Sequence, residues 1–296
     1  MLTSLFVLVR IFANPVANVF QKQLTQRSGH PVFIIAVVHA ALTALCLPYC
    51  MIPGALQVGS GVWPNMVVAA LLAVAGNVLL VYALSETDLS VLGPINAYKS
   101  VVGLVLGIFL IGERPTPLGL AGVLLIVAGS YFVMDRSINQ PASNAFVRFF
   151  SERGIQLRFA ALFFSATEAV FLKRAIVVSS PITVLVLWSV LGFLIAVTGV
   201  AALFPRDVTR QVLILRQAGG TYARLAIATG VMQLATLLTF RHFHVGYSLA
   251  LFQLSTIVSV VLGRRYFGES HFRERLVGSL VMTVGAALIV VFGHRS

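Results

Sequence analysis

Apolar residues run along this chain in blocks of about 20, the length that spans a bilayer core, and short polar stretches divide them. The blocks predict helices over 3–23, 31–52, 64–84, 89–111 and 117–134. They predict five more over 158–176, 182–204, 222–240, 246–267 and 273–293. The expected fold is an all-α polytopic membrane protein with about ten transmembrane helices. An odd number of crossings per half turns the second half over relative to the first, giving two inverted five-helix repeats. The expected organisation is a first repeat over 1–134, a connecting loop over 135–157 and a second repeat over 158–296.

The halves also resemble one another in detail. Ile111-Gly112-Glu113-Arg114 is followed by Gly122 and Gly129, and Phe267-Gly268-Glu269-Ser270 by Gly278 and Gly285, at a constant offset of 156 residues. Near the start of each half the offset is about 150: Phe20-Gln21-Lys22 resembles Phe171-Leu172-Lys173, and Gly29-His30-Pro31 resembles Ser179-Ser180-Pro181. Duplication in a chain this apolar points to a transporter whose substrate site lies where the repeats meet. Two longer connections mix apolar and basic residues. Phe146, Phe149 and Phe150 alternate with Arg148, Glu152 and Arg153; Val208, Val212 and Leu215 lie beside Arg206, Arg210 and Arg216. Each reads equally as an interfacial amphipathic helix or as a linker.

Composition agrees with the membrane reading. Hydrophobic residues make up 58% and charged residues 10%, against about 25% charged in soluble domains, and the mean hydropathy is +0.96. A multi-pass protein of the cell (inner) membrane is expected. The formal charge of +12 does not point to nucleic acid, because the arginines are scattered through short loops instead of forming a stripe. Lipid headgroups suit them better. Arg10 and Asn14-Pro15 interrupt the first apolar block, against a cleavable signal peptide. Cys46 and Cys50 share one apolar segment and read as buried thiols. No zinc pattern, phosphate loop or serine-nucleophile elbow occurs, so neither an enzyme nor a cofactor or metal is expected. The expected partners are a small-molecule substrate and membrane lipids, and the sequence does not specify an oligomeric state.

The segment over 112–129 looks like the end of an EamA domain, and 268–285 is a weaker copy. With two such halves the chain resembles the drug/metabolite transporter superfamily, EamA type, over essentially its whole length. That resemblance implies ten helices, a cavity between the repeats, alternating access, and proton or exchange coupling. Its members export amino acids, metabolites or drugs, take up metabolites, or flip lipid-linked sugars. The expected function is therefore secondary transport of a small metabolite or amphipathic compound; the alternative is a flippase for a lipid-linked sugar or lipid. The resemblance implies cytoplasmic termini, whereas the basic residues cluster in loops after the odd-numbered spans and favour the opposite orientation.

Ionisable groups at membrane depth are costly and mark candidate sites. Lys99 lies ten residues into the fourth span, about 15 Å of helix rise. It follows Pro94, Asn96 and Tyr98, and Pro94 would interrupt the helix and free carbonyls. Lys99 suits an anionic group. Glu168, in Ser165-Ala166-Thr167-Glu168-Ala169, looks like the membrane glutamate of small multidrug resistance proteins. It is the candidate for proton coupling, or else the acid of an ion pair with Lys99 or Arg10. Arg10, Asn14, Asn18 and Gln21 share one helical face, and Asn18 aligns with Glu168. Arg10 either joins a cavity or snorkels to the membrane surface. Asn77 and Gln233 coincide at the 156 offset and can bind substrate or join helices. Gln253, Ser255 and Thr256 polarise the ninth span, with Ser255 aligned to Lys99. Trp188 and Tyr98 could stack on a substrate, and His39 reads as structural. The substrate-binding candidates are Lys99, Arg10, Asn14, Asn18, Asn77, Asn96, Tyr98, Gln233 and Gln253. Glu113 and Glu269 are expected to cap the fifth and tenth helices, and Gly103 with Gly107 to permit close helix packing.

Overall fold

The computed structural model describes residues 2–56, 58–102, 114–133, 149–203, 205–243, 245–292 and 294–295. Glu113, Gly103, Gly107, Phe146 and Arg148 lie outside the described residues. The apolar blocks become helices close to their expected bounds: α1 (Leu2–Gln26), α2 (Pro31–Cys50), α3 (Val62–Glu86), α4 (Leu89–Ile95), α5 (Pro117–Val133), α6 (Arg153–Val177), α7 (Pro181–Leu203), α8 (Val208–Gln217), α9 (Gly219–His242), α10 (Val245–Phe252), α11 (Ser255–Phe267) and α12 (Phe272–Phe292). Among the described residues, seven helices are long and apolar enough to cross a membrane, and α5 holds a shorter apolar stretch over Pro117–Ser130. Side chains such as Phe12, Leu71, Leu124, Ile227 and Val284 are exposed on the outside of the bundle, as expected of a lipid-facing surface. The protein is a polytopic all-α membrane protein. A two-residue antiparallel pairing, Arg114 with Arg295 and Pro115 with His294, joins the start of α5 to the end of the chain.

Two expected spans are broken. The fourth, expected over 89–111, turns at Asn96-Ala97 before helix resumes over 98–102; the ninth, expected over 246–267, turns at Gln253-Leu254 between α10 and α11. At the first break Asn96 and Ala97 donate to Gly93 and Pro94, three residues back (3.0 and 2.9 Å). Leu254 and Thr256 repeat this pattern with Leu251 and Gln253 (3.3 and 2.9 Å). Such tightened turns free carbonyls that an unbroken helix would use. Pro94 explains the first break; no proline or glycine lies at the second.

Each long or broken helix of the first half packs antiparallel on a helix of the second. α1 lies along α9, with Arg10 meeting Thr236 and Phe20 meeting Arg224. α3 lies along α6, with Gly76 against Ala161 and Phe164 and Thr87 against Gly154. α2 runs along α7, with His39 at Gly192 and Val32 at Gly199, and α4 runs along α11, with Gly93 at Ser259 and Ser90 at Gly263. α5 and α12 make the tightest seam. A β-carbon at Gly122 would sit 2.6 Å from the Gly285 carbonyl oxygen, and one at Gly278 would sit 2.7 Å from that of Gly129. The repeated glycines thus let two backbones touch, crosswise, because the helices are antiparallel.

The basic connections also resolve. α8 is helical, but its apolar residues Val208, Val212 and Leu215 pack against the protein core. Gln211 anchors it, accepting from the backbone of His30 (2.8 Å) and donating to Ser28 (3.3 Å). In the other connection, Phe149 is buried and α6 begins at Arg153, five residues earlier than expected. Arg158 is therefore a buried helical residue, not a loop charge, and Arg275 is likewise buried within α12. Cys46 and Cys50 are free and only partly buried.

Candidate functional site

A cavity of about 120 Å³ lies among α1, α2, α3, α6, α7, α9 and the two breaks. A cavity of that size has room for several waters or one small solute. The polar face of α1 enters it as a row: Arg10, Asn14, Asn18 and Gln21 all line the wall. Lys99, Glu168, Asn77, Asn96, Gln233 and Gln253 line it as well. One turn of α1 per polar residue puts the row on a single stripe, and the packing of α1 on α9 turns that stripe inward.

The two breaks meet at this cavity. Asn96 Nδ2 donates to Gln253 Oε1 across 3.2 Å, joining the interruption in α4 to the interruption after α10. Arg158 locks the same place: its Nε donates to the Leu92 carbonyl (3.1 Å) and an Nη to Asn96 Oδ1 (3.0 Å). Leu92 has a free carbonyl because Asn96 N–H, its partner in a regular helix, turns to Gly93 instead. Arg158 thus holds the broken backbone where helix geometry no longer does. In the sequence it stands at the first residue of the expected sixth span, next to the basic residues of the preceding connection. Its signal was the apolar Ile155, Leu157 and Phe159 around it, which continue the helix on its N-terminal side.

Arg10 does not reach a membrane surface. Its Nε donates to Thr236 Oγ1 (2.8 Å), its guanidinium lies 4.8 Å from the centre of the Phe252 ring, and one Nη has no partner in the protein. Glu168 accepts from Trp188 Nε1 at 3.0 Å. Trp188 is held in turn by His39, whose ring lies 4.3 Å away, and His39 occupies the space that Gly192 leaves open. Trp188 therefore orients the carboxylate and His39 packs behind it. Glu168, Arg10 and Lys99 act on one another electrostatically. No hydrogen-bonded ion pair joins the carboxylate to either base among the described residues, so the alternative reading of Glu168 as the acid of such a pair is not what its contacts show.

Other candidates sort by direction. Asn77 lines the cavity while its amide nitrogen bonds back to the Ala73 carbonyl (2.8 Å). Gln233 and Gln253 each leave an amide nitrogen without a protein partner. Tyr98 is a correction: it does not line the cavity. Its hydroxyl donates to Ser130 on α5 (3.1 Å), and its ring packs on Phe159 (5.1 Å). Adjacent helical residues point about 100° apart, so with Lys99 facing the cavity Tyr98 must face the packing. Ser255 and Thr256 also point away, Thr256 sharing a hydrogen bond with Thr283 (3.2 Å).

Glu269 caps a helix, but not the expected one. Gly268, at φ 64°, closes α11 with its N–H on the Arg264 carbonyl (3.1 Å), a turn that glycine makes without strain. That turn sends Glu269 across to α4, where its two oxygens accept the N–H groups of Leu89 and Ser90, each at 2.8 Å. Lys22 donates to it at 2.9 Å. Asp88 and Arg275 complete the cluster, 2.9 Å apart. Burial alone would raise the Glu269 carboxyl, but the bonds from Lys22 and Ser90 outweigh it and hold it below the ordinary carboxylate range.

Residues 1–135 match the EamA-like transporter family. A solved crystal structure of a protein superposes with a TM-score of 0.58 at 15% sequence identity, covering 95% of this chain and 95% of its own. At that identity the likeness shows a shared fold. No curated protein matches the chain.

Proposed function

From the match of residues 1–135 to the EamA-like transporter family, we propose that the chain is a secondary transporter built from two inverted repeats, 1–134 and 158–296. It moves a small polar metabolite through the central cavity by alternating access. The carrying observation is that both halves supply polar groups to one cavity at the point where both interrupted helices meet. The pairing of helices supports the repeat. α2 with α7, α4 with α11 and α5 with α12 join counterparts, while α1–α9 and α3–α6 exchange under the same operation. Half-helix ends and freed backbone groups at such breaks are where transporters of this kind build their sites. Glu168, oriented by Trp188, is the proton-coupling group, and Lys99 and Arg10 meet the substrate.

The test is efflux from proteoliposomes loaded with a defined mixture of amino acids, dicarboxylates, phosphate monoesters, sugars and polyamines, read by mass spectrometry. At least one component should leave faster than from empty liposomes, and a pH gradient should accelerate it. Glu168→Gln should keep exchange and lose the acceleration. A mixture that leaks equally from both liposomes overturns the transporter reading; full gradient-driven efflux by Glu168→Gln overturns the coupling role. The flippase reading has one observation of its own. An apolar groove between α1 and α9, lined by Leu8, Phe12, Val16 and Ile227 with Arg224 beside it, opens on the outside of the bundle. Flipping of a phosphate-linked lipid with no movement of any soluble solute would favour it.

A further inference from the structure

The charged residues on the cavity wall are unbalanced. Arg10, Lys99 and Arg158 face a single acid, Glu168. Lys99 and Glu168 can exchange or lose protons, but arginine keeps its charge in proteins. Two guanidiniums always outnumber one carboxylate, so the wall stays net positive in every protonation state of the other pair. Uncompensated charge of one sign in a small cavity at membrane depth is expensive unless something of the other sign enters.

The hydrogen-bonding inventory points the same way. Among the described lining residues, three guanidinium or amide nitrogens have no protein partner, an Nη of Arg10 and the amide nitrogens of Gln233 and Gln253; His39 Nδ1, a donor in only one tautomer, is a fourth unpartnered nitrogen. Buried donors left without partners are rare in a finished packing arrangement. The first three come from α1, from α9 and from the second break, so they approach the cavity from separate directions. Arg158 is different in kind. It is spent on Leu92 and Asn96, so it contributes positive potential and holds the break in place without reaching for a ligand. The orphaned oxygen of Gln21 suits a hydroxyl on the same ligand.

We propose that the transported species is a small dianion, a dicarboxylate or a phosphate monoester, with one anionic group on Arg10 and Lys99 and the other beside the amides of Gln233 and Gln253. Arg158 is a positioning residue for this site. Neutral and cationic solutes leave the wall's charge uncompensated, so they are rejected. The proposal rests on the transporter reading above, and binding and transport are measured separately so that the two can fail separately.

The experiment is thermal unfolding of the purified protein in an uncharged detergent, titrated at constant ionic strength. The probes are succinate, glycerol 3-phosphate, neutral succinamide and cationic putrescine, with chloride as the baseline. A ligand that binds only the folded state raises the midpoint in a concentration-dependent way. Succinate or glycerol 3-phosphate should raise it, and which of the two acts more strongly assigns the carboxylate or phosphate class. Succinamide and putrescine should do nothing. Arg10→Gln should weaken the response at least about tenfold, and Arg10→Lys should restore part of it, keeping the charge but losing the forked donor. A midpoint raised by putrescine or succinamide as much as by the dianions overturns the dianion class, whatever the variants do. So does a dianion response unchanged in Arg10→Gln. Dianion binding without counterflow in proteoliposomes overturns the transporter reading alone.

Discussion

Lys22 and Lys173 stand at matching places near the ends of α1 and α6, inside the two tripeptides that first align the halves. Each donates to the carbonyl just past the end of a long helix: Lys22 to Thr87 after α3 (3.2 Å), Lys173 to Phe243 after α9 (3.2 Å). Thr87 and Phe243 are themselves 156 residues apart. The remaining partners differ. Lys173 adds a second main-chain oxygen, that of Phe240. Lys22 adds the buried carboxylate of Glu269 at 2.9 Å, with Asp88 at 3.7 Å and Arg275 bound to Asp88. One lysine is held by neutral dipoles, and the other sits in an ionic cluster joining α1, α4, α11 and α12. The backbone tie is common to both halves; the charge network belongs to one end among the described residues. Equal placement in two similar stretches of sequence therefore does not mean equal energetics.

The comparison is sharpest when each lysine is removed. Lys22→Met leaves the buried Glu269 carboxylate with only Arg275, 3.8 Å away, as its base and should cost about 3 kcal/mol, the low end for breaking a buried pair. Lys173→Met removes charge-assisted bonds to carbonyls and should cost about 1.5–3 kcal/mol. Thermal unfolding in detergent ranks the two, and equal losses would break the distinction drawn here. Asp88 tests whether the whole cluster matters or only its buried core. Its side chain is 41% exposed, against 3% for Glu269, so Asp88→Asn should change stability by no more than about 1 kcal/mol. A loss as large as that of Lys22→Met would make Asp88 an equal member.

The smallest effect is in acid. The Glu269 carboxyl is held below its ordinary range in the folded protein. Its contribution is therefore complete above the unfolded value, near about 4.3, and is lost as pH falls through the lower folded value. The acid limb of a stability profile should be shallower in Glu269→Gln than in the parent, while Lys173→Met keeps the parent's slope. An identical slope in Glu269→Gln would remove the carboxylate from the account.

Much of this molecule is legible in its sequence. Apolar blocks of bilayer length marked the long helices to within a few residues, because hydrophobic length is a local property. The i, i+4, i+7 spacing placed Arg10, Asn14, Asn18 and Gln21 on one stripe, and Pro94 marked the first break. The second break, at Gln253-Leu254, carried no such mark. Its turn is visible only where Gln253 meets Asn96. Arg158 and Arg275 stand at or near the start of an expected span, where a charge can reach the membrane surface, yet each is buried against a distant partner. Glu269 was legible as a cap and not as the cap of α4, since a turn's sequence does not say which helix start it will face.

The sequence alone determined the membrane setting, the helix blocks, the duplicated pattern and the polar stripe on α1, since each follows from composition and spacing within one segment. Tertiary structure decided which polar groups share a cavity, that Tyr98 turns away from it, that Trp188 rather than a base holds Glu168, and that three bases face one acid. Those outcomes depend on contacts between residues 20 to 226 positions apart on different helices, and no local rule of helix formation reaches that far.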